Sequence, residues 1–344
     1  MRILVDITHP ADVHFYRRAI QTWRELGYEV LITSRNKGVA IKLLDDFGLA
    51  HTQVGKKARG GAAGLALELA ERAWILRGII NTFKPDVATG FGGTFVAYAC
   101  LGKNVPVVVF SDTEARLANS ITMPITTVLA TPVPFTQDFG EKHLRFKGFK
   151  ELAYTHPNVF QPDPTKLAIE GLEVGEPFSI LRLVSWQASH DIQLSGIPDV
   201  ERTIETLTQF GRVIISSERP LPAHLQEFEM KGSAQNMLHL QAYAHLLFGE
   251  SGSMATEATM LGTPAIFYNP AHLGSIEIQA KVYGMLFTFH DTANDLDKAL
   301  AKASELLSNP DTQTLWQEKR QVMLDESIDM NAYIIDLVQK TAKK

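Results

Sequence analysis

Phe248-Gly-Glu-Ser-Gly-Ser-Met-Ala-Thr-Glu-Ala-Thr-Met-Leu-Gly-Thr-Pro-Ala-Ile266 is the stretch that decides how this chain folds. It opens on the end of a buried strand, Leu246 to Gly249. A Ser/Gly turn leads into a short helix, and a Gly-Thr-Pro turn leads into another apolar strand, Ala265 to Tyr268. A strand that turns tightly into a helix leaves the first backbone N–H groups unpaired at the positive end of the helix dipole. That is a seat for an anion such as phosphate. Ser251, Gly252 and Ser253 let the backbone come close and add hydroxyl donors. Glu257 falls one turn into the helix, where a carboxylate can accept hydrogen bonds from the vicinal hydroxyls of a ribose. Phosphate donors followed by a carboxylate suggest a nucleotide. A serine-capped helix with a solvated Glu257 is the competing reading, and both stand at this point.

Outward from this motif, strands alternate with helices. In the first half, Ile3–Ile7, Glu29–Thr33, His51–Val54, Asp86–Gly90 and Pro106–Phe110 read as strands. His14–Leu26, Val39–Phe47, Leu65–Phe83 and Thr94–Leu101 have helical periodicity. In the second half, strands at Ser179–Val184, Arg212–Ser216, Leu246–Gly249 and Leu286–Phe289 are spaced by helices at Val200–Phe210, Ala223–Phe228 and Ile276–Tyr283. Helices at Asn294–Leu307, Thr312–Met323 and Asn331–Ala342 close the chain. Between the halves, Ala153–Glu176 holds Pro157, Pro162 and Pro164 with little periodicity, and reads as a linker. The expected class is α/β, with two Rossmann-like, doubly wound domains facing a cleft. Residues 1–155 are expected to form an N-terminal Rossmann-like domain and residues 177–325 a C-terminal one. Residues 326–344 carry a final helix free to pack back on the first domain.

A length of 344 residues exceeds the usual single core, consistent with two domains. A formal charge of −5 with 21% charged residues excludes the basic footprint of a nucleic-acid binder. Cys100, the single cysteine, cannot form an internal disulfide, and no Cys/His spacing announces a metal site. The chain opens on a strand rather than a leader, and no apolar run is long enough to span a bilayer, so a cytoplasmic protein is expected. The basic stretch Lys56-Lys57-Ala-Arg59-Gly-Gly61 precedes an apolar helix with Trp74, Ile75 and Leu76. It reads either as a loop before a core helix or as a peripheral contact with an anionic inner-membrane surface.

Five segments carry a resemblance: Asp6-Ile-Thr-His-Pro-Ala-Asp-Val-His-Phe15, Ile32-Thr-Ser-Arg-Asn-Lys37, Phe110-Ser-Asp-Thr-Glu-Ala115, Arg182 through His190-Asp191, and Gly249 through Pro264. Through them the chain resembles a bacterial and archaeal family of glycosyltransferase-B architecture. That family is related to the UDP-N-acetylglucosamine 2-epimerases and to the lipid-II N-acetylglucosaminyltransferase. The resemblance implies a nucleotide-sugar enzyme, with a UDP-sugar as donor and a glycan or lipid-linked molecule as acceptor. Asp112-Thr-Glu114-Ala-Arg-Leu117 resembles an epimerase motif, which places Glu114 on a catalytic glutamate. The epimerase aspartate would fall at Gly92-Gly93-Thr94, where this chain has none. His14 matches the position of the transferase histidine at the entry to the first helix, although Thr8-His-Pro-Ala-Asp-Val13 replaces that loop's glycines.

Candidate site residues follow. His14 suits a general base at the start of helix one, with Asp12 to orient it. Glu114 lies just past an apolar strand. Arg182 leaves a strand of the second domain and suits bidentate contact with a pyrophosphate. Trp186 can stack on a base or sugar, and His190 can touch a phosphate. Each has a structural alternative: capping, an ion pair or loop packing. No cofactor and no metal are expected, because a helix dipole and arginine neutralise the leaving diphosphate in this architecture. The reading favoured is a metal-independent glycosyltransferase of surface-polysaccharide or glycoconjugate synthesis. The alternatives are an epimerase-like or hydrolysing enzyme and a nucleotide-sugar-binding protein without catalysis.

Overall fold

The computed structural model describes residues 1–36, 38–55, 61–112, 115–185 and 196–343, with the side chains of 61–63 set aside. The chain divides into two compact units, Met1–Tyr154 with Ser327–Lys344, and Thr155–Glu326.

In the first unit, β1 (Arg2–Ile7) leads to α1 (Pro10–Glu25), β2 (Glu29–Arg35), α2 (Gly38–Asp46), β3 (Thr52–Val54) and α3 (Gly61–Phe83). Then come β4 (Val87–Phe91), α4 (Thr94–Cys100), β5 (Val107–Phe110), α5 (Arg116–Thr122), β6 (Val128–Pro132), β7 (His143–Phe146) and α6 (Leu152–Thr155). Among the described residues the sheet has seven parallel strands in the order β3-β2-β1-β4-β5-β6-β7. Helices cover both faces of such a sheet, so its strands read as unbroken apolar runs; Ile3, Leu4 and Val5 of β1 are fully buried.

Two differences from the sequence reading matter here. α1 begins at Pro10, four residues before His14. Pro10 supplies a preset φ in the first turn, His9 caps it, and Asp12 reaches back to the cap backbone, which together form a capping box. Beyond Phe110, two strands escape sequence reading. β6 is short and ends in Pro132, and β7, with pattern His-Leu-Arg-Phe146, sits at the sheet edge where apolar alternation weakens.

In the second unit, β8 (Phe178–Leu183), α7 (Val200–Thr208), β9 (Arg212–Ser217), α8 (Met237–Tyr243), β10 (Leu246–Gly249) and α9 (Gly252–Met260) precede β11 (Ala265–Tyr268). They are followed by α10 (Gly274–Lys281), β12 (Leu286–Phe289), α11 (Leu296–Ser308) and α12 (Thr312–Glu326). Among the described residues five parallel strands form the order β12-β11-β10-β8-β9. The Pro-rich stretch read as a linker is folded into this unit. Pro164–Glu170 makes a 3-10 turn whose Leu167 joins the core around Phe178, Leu240 and Phe267. The Glu170 carboxylate accepts the N–H groups of Lys231 and Gly232 at 2.8 and 2.7 Å.

The last helix, α13 (Met330–Ala342), belongs to the first unit. It packs on α1, β4 and β5, with Ile334 and Val338 fully buried.

Candidate functional site

In an open parallel sheet, ligands bind outside the carboxyl ends of the strands where the strand order reverses. The first sheet reverses between β1 and β4, and the second between β8 and β10.

At the second sheet's reversal, β10 runs into the turn quoted at the outset. Gly249 pairs with Arg182 of β8, and a Cβ on Gly249 would lie 2.6 Å from the Arg182 Cβ, so only glycine lets the strands close here. Ser251 caps α9, its Oγ accepting from the N–H of Met254 at 3.4 Å. The N–H groups of Gly252 and Ser253 then have no earlier turn to bond. A Cβ on Gly252 would meet Leu273 at 2.6 Å, so the loop after β11 seals one side of this helix end. Glu257 is half-buried in α9.

Glu250 went unassigned in the sequence and has the most structural work at this edge. Its side chain is 1% exposed, and its two oxygens accept the N–H groups of Val184 and Ile197, each at 2.7 Å. Those two residues flank the segment containing Trp186 and His190, both of which lie outside the described residues. The glutamate one residue before the helix cap thus fixes both approaches to that segment.

Arg182 does not stand free. Its Nη1 donates to Ser216 at 2.9 Å and its Nη2 pairs with Glu218, while its Nε is buried without a hydrogen-bond partner. The geometry is that of the ion pair offered as the alternative in the sequence reading.

At the first sheet's reversal, charge replaces backbone donors. Asp6, at 1% exposure, pairs with Arg72 at 3.2 Å and accepts from Thr33 at 2.7 Å. Burial, opposed by Arg72, raises the pKa of Asp6. Arg35 grips Glu68 bidentately at 2.6 and 2.7 Å.

Asp12 accepts from the backbone of Thr8 and His9 at 2.9 and 2.8 Å and from the Thr8 hydroxyl at 3.1 Å. Its carboxylate is therefore a cap and does not reach His14. Residues two apart on a helix face different ways, which the sequence reading of Asp12 as an orienting group overlooked. Burial pushes the Asp12 pKa up to about 6.

His14 sits one turn inside α1, its ring 5.7 Å from Phe47 and 5.2 Å from Tyr154. Its Nδ1 is buried with no hydrogen-bond partner, and burial, with Arg17 nearby, lowers its pKa to about 4. The ring is thus neutral at physiological pH.

Past β5, Asp112 pairs with Lys150 at 2.6 Å, and Glu151 stands 3.8 Å from the same ammonium, which lies 5.4 Å over the Phe91 ring. Burial pulls the Lys150 pKa down, but the carboxylates of Glu151 and Asp112 outweigh it and the group stays cationic. Sequence reading missed this cluster because its members are far apart along the chain. Glu114, two residues beyond Asp112, lies outside the described residues. The turn at Gly92 and Gly93 has φ of 69° and 59°, and a Cβ on Gly93 would strike Val109 at 2.5 Å. A side chain at Gly93 would have to displace that of Val109 and adopt a left-handed backbone, which disfavours a carboxylate there.

Residues 56–60 of the basic stretch lie outside the described residues. On α3, Leu76 and Ile80 are buried as a core helix requires, but Leu65, Leu67 and Trp74 are exposed, Trp74 at 77%. Among the described residues no helix is long and apolar enough to cross a membrane.

The triplet Asp295-Leu-Asp297 has the form of a metal–phosphate motif, yet Lys298 holds Asp295 at 2.6 Å and Arg202 holds Asp297 at 2.7 Å. Among the described residues, one group of metal-ligating side chains converges: His272, Glu277 and His290, whose ligand atoms lie within 4.8 Å of one another.

Solved structures share this architecture. The chain is similar to the UDP-GlcNAc 2-epimerase of Methanocaldococcus jannaschii, with a TM-score of 0.63 at 13% identity over 94% of this chain and 99% of that one. It is similar to the spinosyn rhamnosyltransferase SpnG, with a TM-score of 0.68 at 13% identity over the full length of both chains. It is also similar to MurG of Acinetobacter baumannii, with a TM-score of 0.64 at 14% identity over 99% of this chain and all of that one. These likenesses establish the glycosyltransferase-B fold. An uncharacterized protein of Methanocaldococcus jannaschii is 22% identical over 290 residues, covering 80% of this chain and 84% of the relative. A family model matches residues 1–342, and the chain belongs to that family, described as protein of unknown function (DUF354).

Proposed function

We propose that the protein is a nucleotide-sugar-dependent glycosyltransferase, with a UDP-sugar as donor and a glycan or lipid-linked molecule as acceptor. The observation that carries this reading is the strand-to-helix turn at the second sheet's reversal, where Ser251 caps α9 directly off β10. In the proposed mechanism the N–H groups of Gly252 and Ser253 and the hydroxyls of Ser251 and Ser253 bind the donor diphosphate. Glu257 accepts from the ribose hydroxyls, Trp186 stacks on the base or sugar, His190 touches a phosphate, and Arg182 adds positive charge. Arg182 must then exchange part of its contact with Glu218 for phosphate.

The acceptor hydroxyl attacks the anomeric carbon as the bond to the diphosphate breaks. His14, neutral at physiological pH, takes the hydroxyl proton; its low pKa makes it a weak base until substrate pairs with it. Glu114 is the second candidate acid/base group, and Asp12 supports the loop by capping α1. The helix dipole and the arginine stabilise the departing diphosphate, so magnesium is not needed to bridge it. Exposed Leu65, Leu67 and Trp74 on α3 favour an acceptor at a lipid surface. This makes synthesis of surface polysaccharide or glycoconjugate, on the cytoplasmic face of the inner membrane, the setting that fits.

The second reading is an epimerase-like or hydrolysing reaction, favoured by the resemblance of Asp112 through Leu117 to an epimerase motif. The glycines at 92 and 93 weigh against it, because no carboxylate stands there. A nucleotide-sugar-binding protein without turnover is the third. One experiment separates them: incubation with UDP-N-acetylglucosamine in deuterated water without acceptor, followed by NMR. Epimerisation breaks the C2–H bond and installs deuterium at C2, whereas transfer leaves that bond intact. Deuterium at C2 that vanishes in Glu114→Gln would replace transfer by epimerisation. UDP binding that is weaker in Glu257→Ala by about 1–3 kcal/mol and unchanged by removal of magnesium is the expected result for the donor site.

A further inference from the structure

The ends of β11 and β12 carry a group of side chains that the proposed transfer does not use. The two strands run in register, Tyr268 opposite Phe289, and the pairing continues one residue further through the Asn269 N–H and the Phe289 carbonyl at 3.1 Å. His290 follows directly. Its Nδ1 lies 2.9 Å from the Asn269 carbonyl. A carbonyl can only accept, so Nδ1 carries the hydrogen and the neutral ring presents its lone pair at Nε2. That Nε2 is buried and has no hydrogen-bond partner.

Asn269 is itself locked, its Nδ2 donating to the Glu250 carbonyl at 2.7 Å and its Oδ1 accepting from Ala271 at 2.8 Å. The carbonyl that sets the tautomer therefore does not wander. From α10, Glu277 turns one oxygen, Oε1, toward both imidazoles: 3.4 Å from His290 Nε2 and 3.4 Å from His272 Nδ1. Its other oxygen, Oε2, is held by Lys281 at 2.7 Å. The His272 and His290 rings lie 4.0 Å apart.

Charge-assisted hydrogen bonds from imidazolium to carboxylate close to about 2.7–2.9 Å, so contacts of 3.4 Å are loose for ion pairs. They are the right length for something else. Ligands bonded to a tetrahedral zinc at about 2.0–2.1 Å stand about 3.3–3.4 Å from one another. Two imidazoles this close would repel if both were protonated, whereas neutral rings can share a cation. Lys281, taking one carboxylate oxygen, makes Glu277 a one-oxygen ligand and fixes its direction, as supporting contacts around metal ligands do.

We propose that His272, Glu277 and His290 form a binding site for a transition-metal ion of the zinc, cobalt or nickel type. Two nitrogen ligands and one oxygen suit such ions and disfavour magnesium. With three protein ligands, one position of a tetrahedron stays open to water or to an exogenous ligand. The ion ties the loop after β11, whose Leu273 packs on the first residue of α9, to the end of β12. This site does not rest on the nucleotide reading, because it is complete without nucleotide.

The test is a cobalt(II) titration of the full chain, stripped of metal and free of nucleotide, read by visible absorption. One equivalent should bind with the intense bands of a low-coordinate ion, displaced by zinc and untouched by excess magnesium. The His272 side chain is 71% exposed, so His272→Ala leaves the fold in place, which an unchanged melting temperature without metal would verify. In that variant, and in Glu277→Gln, affinity should fall at least about tenfold. Absence of stoichiometric uptake, or equal uptake by wild type and both variants, would overturn the proposal.

Discussion

The two sheets reverse their strand order in the same way and furnish their reversal points in opposite ways. Beside β10, the edge is made of backbone: a serine cap, open N–H groups at the start of α9, and Glu250 spent on two backbone donors. Beside β1 and β4, the edge is made of paired side-chain charge: Asp6 with Arg72, Arg35 with Glu68, Asp112 with Lys150. A backbone edge offers an anion N–H groups that no charge has already matched, and only Arg182 beside it must loosen its contact with Glu218. A charged edge has already matched its ions, so it holds its shape strongly and gives up a group only against competition. The contrast suits a donor diphosphate on the second unit and proton movement on the first.

The contrast breaks most easily at Arg72. Its loss strands the fully enclosed Asp6 carboxylate, and Arg72→Met should cost about 3–5 kcal/mol in urea unfolding of the first unit, with much of that returned by adding Asp6→Leu. A cost below about 1 kcal/mol would mean that the charged edge is not held by this pair. Next is Glu250→Ala, which leaves two backbone N–H groups without their charged acceptor. It should cost about 2–3 kcal/mol, and Glu250→Gln, which keeps an acceptor oxygen, distinctly less. An equal loss for both variants would say that shape rather than charge secures the turn.

The smallest effect is in pH. Burial lowers the folded pKa of His14 to about 4, below its ordinary 6.5, so the unfolded chain binds the extra proton and His14 draws stability down as pH falls from 6.5 to 4. Asp12 is shifted the other way, from 3.8 to about 6, so its contribution to stability grows as pH falls through that window. The two oppose each other in the wild type. In His14→Phe the Asp12 slope remains, and stability should rise by about 1–2 kcal/mol between pH 6 and 4 relative to wild type. In Asp12→Asn the His14 slope remains and stability should fall by a similar amount. Parallel pH profiles in all three proteins would show that neither group is sealed as described.

The same contrast explains what could be read in the sequence. The turn at Ser251 and Gly252 is written in consecutive residues, because capping and tight turns are local physics. The alternation of strands and helices was likewise legible, since strands covered on both faces are apolar runs. The Asp6–Arg72 contact joins residues 66 apart, and nothing in either neighbourhood marks the other. Lys150 and His290 are equally silent: each takes its meaning from groups on other elements. Glu250 was in plain view within the quoted motif, but its partners, Val184 and Ile197, are 66 and 53 residues away along the chain. The helix start at Pro10 could have been found, because proline at the first position and aspartate at the third are a local signal.

The placement of α13 has a consequence for how the molecule is made. The second unit is one continuous stretch, Thr155–Glu326, whereas the first is completed only by residues that follow it, Ser327–Lys344. A ribosome therefore delivers every strand of the first sheet long before the helix whose Tyr333 packs on Phe110 and Phe146. During that interval the first unit must wait with an uncovered apolar patch while the second matures behind it. Domains that emerge early usually finish early. Here the first to appear is the last to close, and a chain arrested before residue 330 would leave an open first unit for chaperones to shelter.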